Sequence, residues 1–341
     1  MASSKSRKLN ILIVIEYFAP HIGGVERVME EVGKRLVKYG HNVYVLTTKE
    51  KTSVPYHGMN VTRLALQNRY LFALAILPVL FLKFRNVDIV HSANNYSVAL
   101  PAWIFARVTG KKITMSVWEI WGNMWFRLLP TTGFLHLLYE RLIVNLPFNA
   151  LFVPSKFVVH QLPKKPAIFA PLAGKNLRFS ATGRTNLRKR LGYAKNYVFL
   201  YFGRLGLSKG VDILETVFNK IHNKYPHTRL YVAKNIPEDQ LANYLSMSDC
   251  VVIPDIRASF GLNALEASEI GRPIVTTTAG ALPEVVFGRV VFAKPGSVLS
   301  LVKAMEQSIQ KKFLIIPRKR FSWEKTARIY ENVLARTPPT I

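Results

Sequence analysis

At 341 residues the chain has room for about two ordinary domains, and 49% hydrophobic against 20% charged residues excludes a disordered polymer. Its 47 Lys and Arg against 20 Asp and Glu leave a formal charge of +27, which predicts an anionic partner such as an acidic bilayer surface or a phosphorylated ligand. Nucleic acid is not expected, because no zinc-finger spacing, RNP motif or basic zipper accompanies the charge. A solvated basic surface that only keeps the protein soluble is the plainer reading of the same number. The single cysteine, Cys250 in the run CVVIP, excludes an intrachain disulfide and reads as a small buried hydrophobe in a reducing compartment.

In chain order, the start MASSKSRKLN leads straight into the strand-like ILIVIEYF, so no signal peptide is expected. Strands are predicted at Leu9–Phe18, Asn42–Thr47, Val61–Leu66, Val87–Ser92, Lys112–Val117 and Ala150–Pro154. Amphipathic helices fit between most of them, the clearest over Val25–Tyr39 with Gly40 as its stop. The apolar run Tyr70–Leu82 contains Pro78 and falls short of the ~20 residues that span a bilayer, so it reads as a core or interfacial helix, with no transmembrane segment. Between Ala173 and Tyr193 the apolar periodicity lapses into a polar, basic stretch that reads as a linker. Alternation resumes at Tyr197–Phe202, Arg229–Val232, Cys250–Pro254, Pro273–Thr277 and Val290–Phe292. Continuous apolar strands alternating with helices predict α/β architecture, with parallel sheets covered on both faces. The expected division is a Rossmann-like domain over 1–172, a linker over 173–195, a second Rossmann-like domain over 196–320, and a C-terminal helix over 321–341 packing back towards the first. Ligands of such sheets bind at the carboxyl ends of the strands, which with two facing domains means the cleft.

Three loops carry the chemistry. In FAPHIGGVERV, residues 18–28, Gly23 and Gly24 precede a helix, so backbone amides can approach an anion; a glycine pair there is also an ordinary tight turn. No GxGxxG follows the first strand, which argues against an NAD enzyme. In YFGRLGLSKGVDIL, residues 201–214, Arg204 and Lys209 flank a tight turn before a helix, and two cations beside a helix N-terminus suit a diphosphate. In PDIRASFGLNALEASEIGRPIV, residues 254–275, Ser259, Phe260 and Gly261 open a helix whose amides can meet a phosphate or sugar oxygen. Glu266, one to two turns into that helix, is placed to accept two hydroxyls of a ribose. His91, His136 and His160 have no metal-ligand spacing and read as structural, while His21 in the glycine loop stays open.

Together these elements resemble the retaining glycosyltransferases of family 4, with the GT-B fold. The family's G-R-L-x3-K-G is matched by Gly203, Arg204, Leu205, Lys209 and Gly210, and its E-[GS]-F-G-L-x2-L-E-A by Ser259, Phe260, Gly261, Leu262, Leu265, Glu266 and Ala267. Gly271–Pro273, Gly280–Val285, Asp88–His91 and Ser322–Glu324 match further family elements in the right order. The resemblance implies transfer of a sugar from a nucleotide-diphosphate donor to a lipid-linked saccharide, lipid or glycan. The expected setting is peripheral, at the cytoplasmic face of a membrane. Arg204 and Lys209 would then stabilise the departing diphosphate, and Glu266 would bind the ribose. Amides of the Ser259–Leu262 turn would meet the donor, and Gly23 and Gly24 would close over it. No metal or other cofactor is implied, fixed cations and helix dipoles taking the place of Mg²⁺.

Two departures stand out. The first carboxylate of the family's Glu-x7-Glu is Ala258 here, which leaves a donor-sugar contact to Asp255, Arg257 or the backbone. Where many relatives carry a His, this chain has Trp118 followed by Glu119, so Trp118 is a candidate stacking group and Glu119 a candidate contact to acceptor or donor hydroxyls. The alternatives are a non-catalytic glycosyltransferase-like partner subunit and a nucleotide-sugar 2-epimerase.

Overall fold

Strands buried on both faces need helices above and below, and the first of them, β1 (Asn10–Val14), is buried along all but its first residue. The computed structural model describes residues 7–21, 23–49, 56–162, 167–234 and 236–336. After β1 come α1 (Gly24–Lys38), β2 (Asn42–Thr48), β3 (Asn60–Leu64), α2 (Arg69–Lys83), β4 (Ile89–Ser92) and α3 (Ala99–Val108). There follow β5 (Lys112–Ser116), α4 (Met124–Leu128), α5 (Gly133–Asn145), β6 (Ala150–Val153), α6 (Lys156–Gln161) and β7 (Ala167–Phe169). The seven strands form one parallel sheet in the order β3-β2-β1-β4-β5-β6-β7, with Ile11 level with Val43 on one side and Ile89 on the other. The chain leaves β1 towards β2 and later returns on β1's other side as β4, so the order reverses between β1 and β4.

Local chemistry explains the helices. α1 buries Val28, Met29, Val32 and Leu36 along one stripe, and Gly40, at φ +97°, lets the chain turn off after it. α2 begins where the Asn68 side chain accepts the amides of Tyr70 and Leu71, and the helix runs through Pro78. Among the described residues no helix is long and apolar enough to cross a membrane.

The second unit, Ala173–Phe321, holds α7 (Ala181–Arg190), β8 (Tyr197–Phe202), α8 (Leu214–Lys224), β9 (Thr228–Ala233), α9 (Leu241–Met247) and β10 (Cys250–Ile253). It continues with α10 (Leu262–Glu269), β11 (Ile274–Thr277), α11 (Leu282–Val285), β12 (Gly288–Ala293), α12 (Val298–Ile309) and β13 (Leu314–Ile316). Its sheet runs β13-β12-β11-β10-β8-β9, parallel except for β13 against β12, and reverses direction between β8 and β10. Cys250 lies fully buried in this core, its thiol pushed up to about 12 by burial.

The stretch expected as a linker departs from expectation, since it carries α7. That helix docks through cations rather than a leucine stripe: Arg184 reaches Asp249 at 2.6 Å and the carbonyls of Ser246, Met247 and Ser248, and Arg188 pairs with the same carboxylate. Two short edge strands, β7 and β13, were not predicted; Leu314 and Ile315 of β13 are exposed, so no burial pattern announces it.

The last helix, α13 (Trp323–Arg336), belongs to the first unit, which comprises Met1–Leu172 with Ser322–Ile341. It packs on α1, Tyr330 stacks on Phe152 at 3.9 Å, and the Tyr330 and Ser116 hydroxyls share a 2.8 Å hydrogen bond.

Candidate functional site

In the second unit, the loops after β8 and β10 emerge where the strand order reverses, the place at which doubly wound sheets bind ligands. The amides of Ile256 and Arg257 both donate to Ser208 O, at 2.8 and 3.2 Å, binding one loop to the other. Gly210 sits at φ +60° where a Cβ would lie 2.1 Å from Pro254 O, so only glycine permits this approach. Gly280, at φ +55°, does the same against Ala258 O after β11.

Within this frame Lys209 Nζ donates to Asp255 Oδ2 at 2.5 Å. Asp255 is 0% exposed; burial pushes its carboxyl above the usual range and Lys209 draws it back. Its other oxygen, Oδ1, is buried with no hydrogen-bond partner among the described residues. Asp255 therefore anchors the lysine, and the expectation that it replaces the missing sugar-contacting carboxylate fails because it has no surface to offer. Ala258 is buried in the apolar cluster with Ile253, Ala264 and Leu282. Arg204 is exposed on the same loop as Lys209, its carbonyl accepting the Tyr201 hydroxyl at 2.7 Å.

The turn into α10 begins at half-buried Ser259, buries Phe260 edge-on against Phe321, and places Gly261 at φ +96° as a helix cap with no side-chain capping bond. Leu262 starts the helix, and Glu266, its fifth residue, is 5% exposed. Arg204, Lys209 and the Ser259–Leu262 turn thus follow β8 and β10 at one end of one sheet, with Glu266 further along α10.

The first unit places the remaining candidates. Gly23 is extended and caps α1, whose first residue is Gly24; a Cβ on Gly23 would lie 2.0 Å from Glu26 Oε2, so an acidic side chain already faces that helix end. His21 stacks on Tyr17 at 4.7 Å and approaches Glu26 at 3.9 Å, while Ile22 of this loop lies outside the described residues. Trp118 donates its indole N–H to Ala93 O at 2.5 Å, and Asn95 donates to Glu119 O at 3.0 Å. Glu119 itself is half-buried.

Sequence reasoning missed two buried carboxylates here. Glu140 accepts the amides of Trp121 and Gly122 at 2.8 Å each, fixing the loop that carries Glu119. Glu16, just past β1, accepts the Ser97 hydroxyl at 2.7 Å and Arg69 Nε at 3.0 Å. An acid inside an otherwise apolar stretch was the available signal for each. His91 is buried and held between the Thr114 and Ser116 hydroxyls, its pKa pushed down to about 3 by burial. His136 stacks on Trp125. Among the described residues no group of three or more His, Cys, Asp or Glu could hold a metal ion.

Two mostly parallel, doubly wound sheets in one chain make up the GT-B architecture. The sucrose-phosphate synthase of Thermosynechococcus elongatus superposes with a TM-score of 0.74 at 15% identity, covering 96% of this chain and 95% of that one. Anabaena HepE in complex with UDP-glucose gives 0.68 at 15% identity, covering 96% and 94%. A model described as Glycosyltransferase Family 4 matches residues 22–190, and one described as Glycosyl transferases group 1 matches residues 229–329. The chain belongs to the glycosyltransferases of family 4. It is similar to the GPI3 subunit of the phosphatidylinositol N-acetylglucosaminyltransferase of Saccharomyces cerevisiae, 22% identical over 95% of this chain and 83% of that one.

Proposed function

We propose that this glycosyltransferase moves a sugar, with retention and without a bound metal, from a nucleotide-diphosphate donor to a lipid-linked saccharide, lipid or glycan at the cytoplasmic face of a membrane. The observation that carries the reading is Lys209 held by buried Asp255 where the second sheet's strand order reverses. A cation fixed in advance needs little reorganisation when negative charge develops on a departing diphosphate. Arg204 shares that charge, and the Ser259, Phe260, Gly261 and Leu262 amides serve donor oxygens. Each such charge-assisted hydrogen bond contributes about 1.5–3 kcal/mol. Glu266 receives ribose hydroxyls, and Gly23 and Gly24 let backbone approach a phosphate.

In the transfer the bond from the sugar's anomeric carbon to the diphosphate oxygen breaks while a bond to the acceptor oxygen forms on the same face. The acceptor proton passes to a diphosphate oxygen, so no protein base is required. Glu119 orients a hydroxyl. The lipid acceptor is supported by the yeast relative's printed name, and a UDP-sugar donor by the HepE complex. Thermal shift with UDP-, GDP- and ADP-sugars, followed by transfer assays on phosphoinositide and isoprenoid-phosphate acceptors, tests the reading. No shift with any donor sinks it. A second reading, a non-catalytic partner subunit, draws on Ala258 and on the word subunit in the relative's name; donor binding with no turnover on any acceptor favours it.

A further inference from the structure

Helices of the first unit leave an apolar face uncovered. α2 has apolar residues on every side, yet it buries only Phe72, Ile76 and Leu80; Leu74 and Leu82 stand 74% and 82% exposed. α5 likewise exposes Phe134, Leu135, Leu138 and Leu142. Single exposed leucines are ordinary, but apolar surface clustered in this way marks a binding face. Between these helices and α3 lies an open groove of about 550 Å³ walled by Ala73, Leu74, Leu77, Ile104, Leu135 and Tyr139. That volume is ordinary for a ligand site, which spans ~300–1,000 Å³. Walls of this kind offer little to the hydroxyls of a sugar or the edges of a base, which would be left unbonded. They suit a hydrocarbon chain.

Charge narrows the occupant further. Arg69 lines the groove, with its Nε on Glu16 at 3.0 Å and its guanidinium 5.9 Å from the Tyr96 ring. Glu16 is buried and fixed by Ser97, so the cation is held in place while its side chain stays half exposed. The flanking sequence adds Lys83, Arg85, Arg127 and Arg141. The sole carboxylate on α2, α4 or α5 is Glu140, which is buried and turned to the Trp121 and Gly122 amides. Apolar side chains among cations, with no exposed acid on those helices, match a lipid carrying an anionic head.

We propose that this groove seats one hydrocarbon chain of a phosphate-headed lipid acceptor, with Arg69 meeting the head-group phosphate. The assignment rests on the lipid-acceptor reading above and names the subsite that would select the lipid. Adhesion to a bilayer needs only exposed leucines and cations, whereas the groove requires a single chain to leave the bilayer and enter the protein.

The test uses the full chain with phosphatidylcholine vesicles containing phosphatidic acid that bears a diazirine at the end of one acyl chain. After irradiation and digestion, label is expected on groove residues of α2, α3 and α5. Leu74→Asp, at an exposed position, and Ala73→Trp, which fills the groove without adding charge, are each expected to cut that label at least tenfold. Ala73→Trp keeps its co-sedimentation with the vesicles. Arg69→Gln is expected to lose the preference for phosphatidic acid over phosphatidylcholine carrying the same diazirine chain. Label confined to Leu82, Leu138 and Leu142, or undiminished in both groove variants, overturns the proposal and leaves surface adhesion only. Donor thermal shift on the unsubstituted protein is read separately: its failure sinks the transferase mechanism without touching the labelling result.

Discussion

The two sheets reverse strand order at equivalent places, and each carries a buried carboxylate there that holds a cation. In the second unit Asp255 holds Lys209, and in the first Glu16 holds Arg69. Their surroundings differ. Lys209 sits among glycine turns and backbone amides, with two loops locked together by hydrogen bonds to Ser208 O. Arg69 stands beside leucines and tyrosines lining a groove. A fixed cation among amides suits a solvated diphosphate, whereas the same device beside apolar walls suits a phosphate attached to a chain. One topology thus fixes two cations on buried carboxylates, and on the proposed reading their neighbours set which anion each would take.

The sharpest way to break that comparison is to remove the cation. Lys209→Ala is expected to cut transfer by about 10²–10³-fold, measured as kcat with saturating donor. It also leaves a buried carboxylate without its partner, a loss of about 3 kcal/mol in denaturant unfolding. Lys209→Ala combined with Asp255→Asn should recover most of that stability and none of the activity. If the double variant regains turnover, Lys209 is structural only. Next in size is Glu119→Ala, expected to lose transfer by about tenfold or more while the donor thermal shift is unchanged. Unchanged transfer would reject the role.

Stability offers smaller effects away from both sites. Arg188→Ala should cost about 2 kcal/mol by removing one of the two cations that tie α7 to Asp249, with donor binding intact, which would separate the architecture of the second unit from its chemistry. His91, ordinarily near 6.5, is held neutral at about 3, so only the unfolded chain takes up its proton between those values. Stability therefore falls as pH drops through that window, with a slope that approaches about 1.4 kcal/mol per pH unit once the pH is well below 6.5. His91→Asn should flatten that slope in unfolding measured across pH.

How much was legible depends on what each residue needs. The long buried strands announced themselves because a strand covered on both faces must be apolar throughout, as in β1 and β8. The glycine turns at Gly210 and Gly280 were legible because close backbone approach restricts residue choice. α7 was not, since Arg184 and Arg188 dock it through carbonyls and one carboxylate rather than an apolar stripe. The groove was not either: Tyr70–Leu82 read equally as core or interface, and only packing showed which side of α2 stays bare.

By itself, the sequence determined the α/β class, the two-sheet plan and the glycine turns between strand and helix, because periodicity and glycine placement are local properties. Tertiary structure alone decided that Asp255 serves Lys209 rather than a sugar, that Glu16 and Glu140 turn inward, and that an apolar groove opens beside Arg69. Those outcomes depend on which side chains meet across the fold, and burial of a charge is set by neighbours far away in the chain.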